Sequence, residues 1–123
     1  NNGKTSHIIN KIKSASNDKT KPTIALLGLA YKADINDLRE SPAVRISQTI
    51  ALDNTISVLI VEPYIQSLPD QLAKFNNVRL VDLESAYESA DLIVLLTDHT
   101  LFHERPPEPN AKQKIIDTRG IWR

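Results

Sequence analysis

Tyr31, Lys32 and Arg39 lie close together in the run IALLGLAYKADINDLRESPAV, Ile24 to Val44, and a distant arginine, Arg119, follows the last apolar run in IIDTRGIWR. These side chains suit an anion: the guanidinium fork meets a phosphate or carboxylate through two parallel hydrogen bonds, and the ammonium acts as a point charge. Ser41 and Pro42 add an N-cap side chain and a preset first helical turn, which leaves Arg39 beside the positive end of a helix, where a phosphate group is well placed. A plainer reading stands beside this one. A strand, a glycine, a loop and a helix follow one another in most α/β domains, so these charges can be merely solvated, and Arg119 can equally pair with Asp117 or Asp98.

Other candidate chemistry is thinner. His99 and His103, in HTLFHE, stand four apart and would share a face if that segment is helical. A zinc site needs at least one further ligand, and the H-E-x-x-H pattern is absent, so both are read as surface or partner-contact histidines and no metal is expected. There is no cysteine, which removes disulfides, thiolate metal sites and a thiol nucleophile from this chain. A dinucleotide fingerprint needs G-x-G-x-x-G with an acidic residue about 20 positions on. Only Gly28 stands in the corresponding turn, and Glu62 comes too late, so Glu62 is read as capping a strand end or pairing with a nearby base. Trp122 is expected to pack at the terminus.

The elements that must position these groups are legible from the apolar pattern. TIALLG, ISVLIVEP, VRLVD, DLIVLLTD and KIIDTRG read as five strands, mostly without polar alternation, and SPAVRISQTIALD, LPDQLAKF and LESAYESA read as intervening helices. Strands that are apolar on both faces imply a parallel sheet covered on both sides by helices. The fold class is therefore α/β, a doubly wound, Rossmann-like, five-stranded parallel sheet, with strand order 3-2-1-4-5 favoured by right-handed crossovers. In such sheets ligands bind beyond the carboxyl ends of the strands, where the segment after Gly28 lies. That segment, Leu29 to Glu40, exceeds the ~2 to 6 residues a connection usually needs. Asp82 is read as the N-cap of LESAYES, and RPPEPN as a non-helical surface loop.

Ahead of the sheet, Ile8, Ile12 and Ala15 recur at helical spacing and predict a helix over residues 5 to 16, with Thr5 and Ser6 available as caps. Its apolar stripe is narrow and leaves room for a partner outside the α/β unit. Residues 1–21 are assigned to the end of an interdomain helix and its linker, and residues 22–123 to the domain itself. The abrupt start, without methionine, is what a fragment of a longer chain would look like.

With 123 residues and 41% hydrophobic content, the chain is long enough for one ordinary core. Its 15 basic and 15 acidic residues cancel, so no overall field draws it to nucleic acid or to an anionic membrane, and any anion site must be local. No apolar run approaches a membrane span and no signal pattern opens the chain. A cytoplasmic location is the default expectation.

LGLAYKADINDLRESPA closely resembles the segment opening the C-terminal domain of the UDP-glucose/GDP-mannose dehydrogenase family, and DTRGIW resembles its closing segment. The likeness covers residues 22 to 123 in matching order, VEP and LLTDH agree with it, and the wording of the two motifs looks most like the UDP-N-acetyl-D-mannosamine branch. The resemblance implies the UDP-sugar-binding domain of an NAD-dependent 6-dehydrogenase that oxidises a C6 alcohol to the uronic acid in two steps. It further implies that NAD is bound mainly by an N-terminal domain, that the covalent chemistry belongs to a cysteine in a central domain, and that the full-length enzyme is a homodimer. This chain then partners the enzyme's own N-terminal and central domains and is inactive alone. By matching positions, Tyr31, Lys32 and Arg119 meet the UDP-sugar, Arg39 reaches toward NAD, and no catalytic residue is assigned here.

A competing reading from another class is a receiver-like phosphoacceptor domain, also a five-stranded α/β unit of about 120 residues. It requires acids at the end of the first strand and a lysine after the fifth, where this sequence has Gly28 and Thr118-Arg119. A third reading is an assembly domain without ligand contact.

Overall fold

In the computed structural model, which describes residues 3–122, the burial of alternate strand residues on opposite faces organises the whole domain. The strands are β1 (Thr23–Leu27), β2 (Ser57–Val61), β3 (Val78–Leu80), β4 (Leu92–Leu95) and β5 (Lys114–Asp117), all parallel and ordered β3-β2-β1-β4-β5. This is the order expected from right-handed crossovers.

Successive side chains of a strand point to opposite faces, so each central strand feeds two cores. Ile24, Leu26, Val58, Ile60, Leu92 and Val94 pack on one face with α2 (Pro42–Ala51) and α3 (Asp70–Ala73). Ala25, Leu27, Leu59, Val61, Ile93 and Leu95 pack on the other with α4 (Leu83–Ser89) and with Phe102 of α5 (Thr100–Glu104). β1 lies between β2 and β4, and Ile24 to Leu27 are wholly buried. That double burial explains the lack of polar alternation in the sequence.

The first helix, α1 (Gly3–Ser16), does not wait for an outside partner. Ile12 is fully buried in the first core, with Ile8, Ile9 and Ala15 packed against it. Lys114 at the start of β5 donates to the Ala15 carbonyl at 3.0 Å and pairs with Asp18 at 3.5 Å, which ties the linker down. The narrow stripe suffices because only one side of α1 faces the sheet.

Local signals formed as their chemistry dictates. Ser41 caps α2 by accepting from the Ala43 N–H, with a proline in the first turn, and Asp82 caps α4 by accepting from Ser85 N–H at 2.9 Å. The run LPDQLAKF yields only the single turn of α3, because a short crossover to the edge strand β3 leaves little length to fill. No helix among the described residues is long and apolar enough to cross a membrane.

Candidate functional site

The turn after β1 is built on Gly28, whose φ is +100°. A Cβ there would lie 2.4 Å from the Thr97 Cβ, so glycine serves both the left-handed backbone and the close approach of the chain leaving β4. Thr97 completes the join by donating its hydroxyl to the Ala30 carbonyl at 3.0 Å.

Beyond Gly28, the long segment is held from beneath by a buried polar cluster. Glu62, immediately after β2, is fully buried and accepts from the Leu29 N–H at 2.8 Å and the Ala30 N–H at 3.1 Å, while its second oxygen accepts from Tyr64 N–H. The His99 ring lies 2.9 Å from the same carboxylate through Nε2. Its other nitrogen, Nδ1, accepts the Asp34 N–H at 2.8 Å. A nitrogen that accepts carries no hydrogen, so Nε2 is the protonated one and the ring is a neutral donor to an ionised Glu62. Burial pushes the Glu62 carboxyl up, but the hydrogen bonds from His99 and from the Leu29 and Tyr64 amides outweigh it and hold the group below its ordinary value.

Asp34 extends the cluster to the surface. Its backbone sits at a positive φ of 62°, and its carboxylate accepts from the Thr100 hydroxyl at 2.6 Å and the Thr100 N–H at 2.8 Å. These two bonds keep its pKa below the ordinary value. Tyr64 packs over the His99 ring, with centroids 5.0 Å apart, and its hydroxyl lies 3.4 Å from Asp34. The first part of the segment is thus tied to the core at Leu29 and Ala30 and again at Asp34, while Tyr31 and Lys32 between these ties stay exposed.

The histidine expectation is therefore corrected. His99 is not a surface residue: the helix begins at Thr100, His99 precedes it in extended backbone, and its ring is fully buried. His103 lies inside the helix and is exposed, so the two imidazoles do not share a face. Both His99 nitrogens are committed to protein partners, and no group of three metal-ligating side chains occurs among the described residues.

A cavity of about 140 Å³ opens at the carboxyl ends of β1, β4 and β5. Ala30 and Tyr31 of the arm, Ser41 and Ala43 at the amino end of α2, and Thr118 and Arg119 after β5 line it, with Lys4 of α1. Thr118 donates its hydroxyl to the Leu95 carbonyl at 2.6 Å. Asp117 turns the backbone by accepting from the Arg119, Gly120 and Trp122 amides. The Arg119 Nε lies 3.7 Å from Asp98, an exposed and weak pairing. Trp122 is partly buried, and its indole N–H donates to the Phe102 carbonyl at 2.9 Å.

Of the residues singled out from sequence, Tyr31 and Arg119 meet on this cavity. Lys32 is exposed, has no ion-pair partner among the described residues and is not in the cavity lining. Arg39 lines a separate shallow cleft with Asp37 and Gln71, and Asp37 holds its guanidinium through Nε and Nη2 at 3.0 and 3.1 Å. Sequence reasoning missed Lys4, Asp34, Thr97 and the structural part played by His99. The signal for His99 was present: β2 and β4 both flank β1, so the residues following those strands must flank the turn at Gly28.

Comparison with known proteins agrees with this architecture. Residues 25–123 match the UDP-glucose/GDP-mannose dehydrogenase family, UDP binding domain. The chain is 40% identical over 122 residues to an NDP-N-acetyl-D-galactosaminuronic acid dehydrogenase of Ralstonia nicotianae, covering 99% of this chain and 28% of that protein. It is also 40% identical over 131 aligned residues to the UDP-N-acetyl-D-mannosamine dehydrogenase of Yersinia pestis, covering all of this chain and 31% of the relative. The solved UDP-D-ManNAc dehydrogenase of Pyrococcus horikoshii superposes with a TM-score of 0.68 at 30% identity, over 97% of this chain and 27% of that one. The chain thus spans under a third of the length of these relatives, and the match excludes the receiver reading. It belongs to the UDP-glucose/GDP-mannose dehydrogenase family, as the UDP binding domain.

Proposed function

We propose that this chain is the UDP-sugar-binding part of an NAD-dependent UDP-N-acetyl-D-mannosamine 6-dehydrogenase, which oxidises the C6 alcohol to the uronic acid. The observation that carries the reading is the meeting of Tyr31, the amino end of α2 and Arg119 on one cavity, in a chain 40% identical along its whole length to a relative of that name. The cavity is smaller than the ~300 Å³ or more of a complete ligand pocket. It suits part of a nucleotide, with the rest of the enclosure supplied by the enzyme's N-terminal and central domains.

In this reading Arg119 at the cavity and Lys32 on the exposed arm outside its lining both approach the diphosphate and sugar, Tyr31 offers a flat wall, and the amino end of α2 adds positive potential. Binding energy gathered on the diphosphate positions a C6 that reacts elsewhere. NAD, when bound, accepts the hydride in each oxidation. This chain has no glycine fingerprint to hold it, and Arg39, oriented by Asp37, is the one group proposed to reach toward it. Residues 1–21 are read as the end of the helix joining this unit to the preceding domain, with its linker, and α1 packs here on the sheet it introduces. The longer enzyme is read as a cytoplasmic homodimer, and the 123-residue chain reduces no NAD alone.

Titration of the chain with UDP-N-acetyl-D-mannosamine, followed by amide NMR, is expected to shift Tyr31, Lys32, Ala43 and Arg119. Losing one charged hydrogen bond costs about 1.5–3 kcal/mol, so Arg119→Ala and Lys32→Ala should each weaken binding roughly ten-fold or more. Unchanged affinity in both variants would overturn the site. The same titration with the N-acetylgalactosamine isomer should give a similar affinity, because both nucleotide sugars share the diphosphate that this chain is proposed to hold.

A further inference from the structure

We propose that His99 and Glu62 are positioning residues for the substrate-side arm, Leu29 to Asp34, fixing Tyr31 and Lys32 in a binding geometry before any ligand arrives. This rests on the reading above that the arm touches a nucleotide diphosphate sugar.

The argument begins with how an arm of this length can be rigid. Four of its backbone groups are tied to side chains from two other strand ends: Leu29 and Ala30 N–H to Glu62, the Ala30 carbonyl to Thr97, and Asp34 N–H to His99. Tyr31 and Lys32 lie between these ties, and the Tyr31 N–H is closed onto the Asp37 carbonyl at 2.8 Å. The distal tie is the critical one, because Asp34 holds a left-handed backbone, which aspartate adopts more readily than most residues but still at a cost that local hydrogen bonds offset. His99 supports it from below through Nδ1, and Thr100 from the side through the Asp34 carboxylate. His99 is in turn oriented by Glu62, which fixes the tautomer that leaves Nδ1 free to accept.

The direction of this chain of contacts matters. Neither Glu62 nor His99 lines the cavity, and both are fully buried, so neither is placed to touch a ligand. Their influence passes through the arm alone. An arm ordered in advance loses less conformational entropy on binding, and preorganisation of this kind appears as affinity.

Two isosteric changes separate positioning from simple stability. An asparagine amide places its oxygen near Nδ1 and retains an acceptor for Asp34, whereas a glutamine amide places its nitrogen near Nε2 and retains only the donor to Glu62. In the 123-residue chain, His99→Gln is expected to accelerate hydrogen exchange of the Asp34 amide and raise the Kd for UDP about ten-fold, while His99→Asn stays within about three-fold of the parent. Thermal midpoints of the two variants should fall together, since each keeps one of two buried hydrogen bonds. Thr100→Ala is an exposed change that leaves the core intact, and it should raise the Kd about three-fold by removing the hydroxyl bond to the Asp34 carboxylate while the Thr100 N–H bond remains.

If UDP binds the parent but His99→Gln and Thr100→Ala bind it equally well with unchanged Asp34 exchange, the positioning role is wrong and the binding site stands. Affinities that follow the thermal midpoint, whichever amide replaces His99, also overturn it. Should UDP shift no amide of the parent, the binding reading itself fails, and the exchange data then describe only an ordered loop.

Discussion

Two irregular stretches of this molecule look alike in sequence and differ in how they are held. Both the arm from Gly28 to Glu40 and the connection from Arg105 to Gln113 are long, polar and free of regular structure. The arm sits at the carboxyl ends of the strands, with its amides bonded to a buried carboxylate and a buried imidazole. The second stretch precedes β5 and is held from the side: Tyr87 donates to the Arg105 carbonyl, Arg105 pairs with Glu84, and the Gln113 amide bridges the Tyr87 and Ala90 carbonyls. Pro106, Pro107 and Pro109 have no N–H to satisfy and restrict the unfolded chain. One loop is held by a buried polar cluster, the other by side-chain bonds at its two ends and by the prolines between them. Length alone does not mark a functional segment; the destination of its backbone donors does.

The contrast is broken most forcefully at Glu62. Glu62→Leu removes the acceptor for three backbone amides and the His99 ring, and each buried orphan costs about 1–3 kcal/mol. Relief of the carboxylate's own burial offsets part of this, so a loss of roughly 4 kcal/mol is expected in urea unfolding. A loss below 1 kcal/mol would mean that the arm is held by other means.

Acid should produce the next largest effect. The Glu62 and Asp34 carboxyls lie below their ordinary values in the folded chain, so their stabilisation is complete above the unfolded value of about 4 and is lost as pH falls through the lower folded values. Urea midpoints should therefore decline below about pH 4, with the Leu29, Ala30 and Tyr64 amides moving in one step that reports Glu62. If those amides titrate separately, the cluster is not a unit.

At the small end, Pro107→Ala in the second stretch should cost no more than about 0.5–1 kcal/mol, chiefly through the unfolded state. It should also leave UDP affinity unchanged. An effect on binding would place that loop at the site and erase the contrast drawn here.

Much of this was readable before the fold was known. The five apolar runs, the caps at Ser41 and Asp82, the special turn at Gly28 and the strand order all follow from periodicity, local hydrogen bonding and crossover handedness. The motifs around Tyr31 and Arg119 led to the family that residues 25–123 match. His99 was misread because its four-residue spacing to His103 implied a shared helix, and a one-residue difference in where that helix starts reversed its environment. Glu62 was read as a strand-end cap or a partner for a base; it accepts from the two amides that follow the turn after β1 and from the His99 ring. The docking of α1 within this domain was not legible, since a narrow stripe does not name its partner.

The sequence by itself determined the layered sheet, its chain order and the points where the backbone must bend, because those are set by patterns confined to a few neighbouring residues. Only the tertiary structure decided that Asp34, Glu62 and His99 form one cluster running from the core to the surface, that Arg119 shares a cavity with Tyr31, and that Arg39 lies on another. Asp34 and His99 are 65 residues apart, and their meeting depends on which strands are neighbours and on where each one ends.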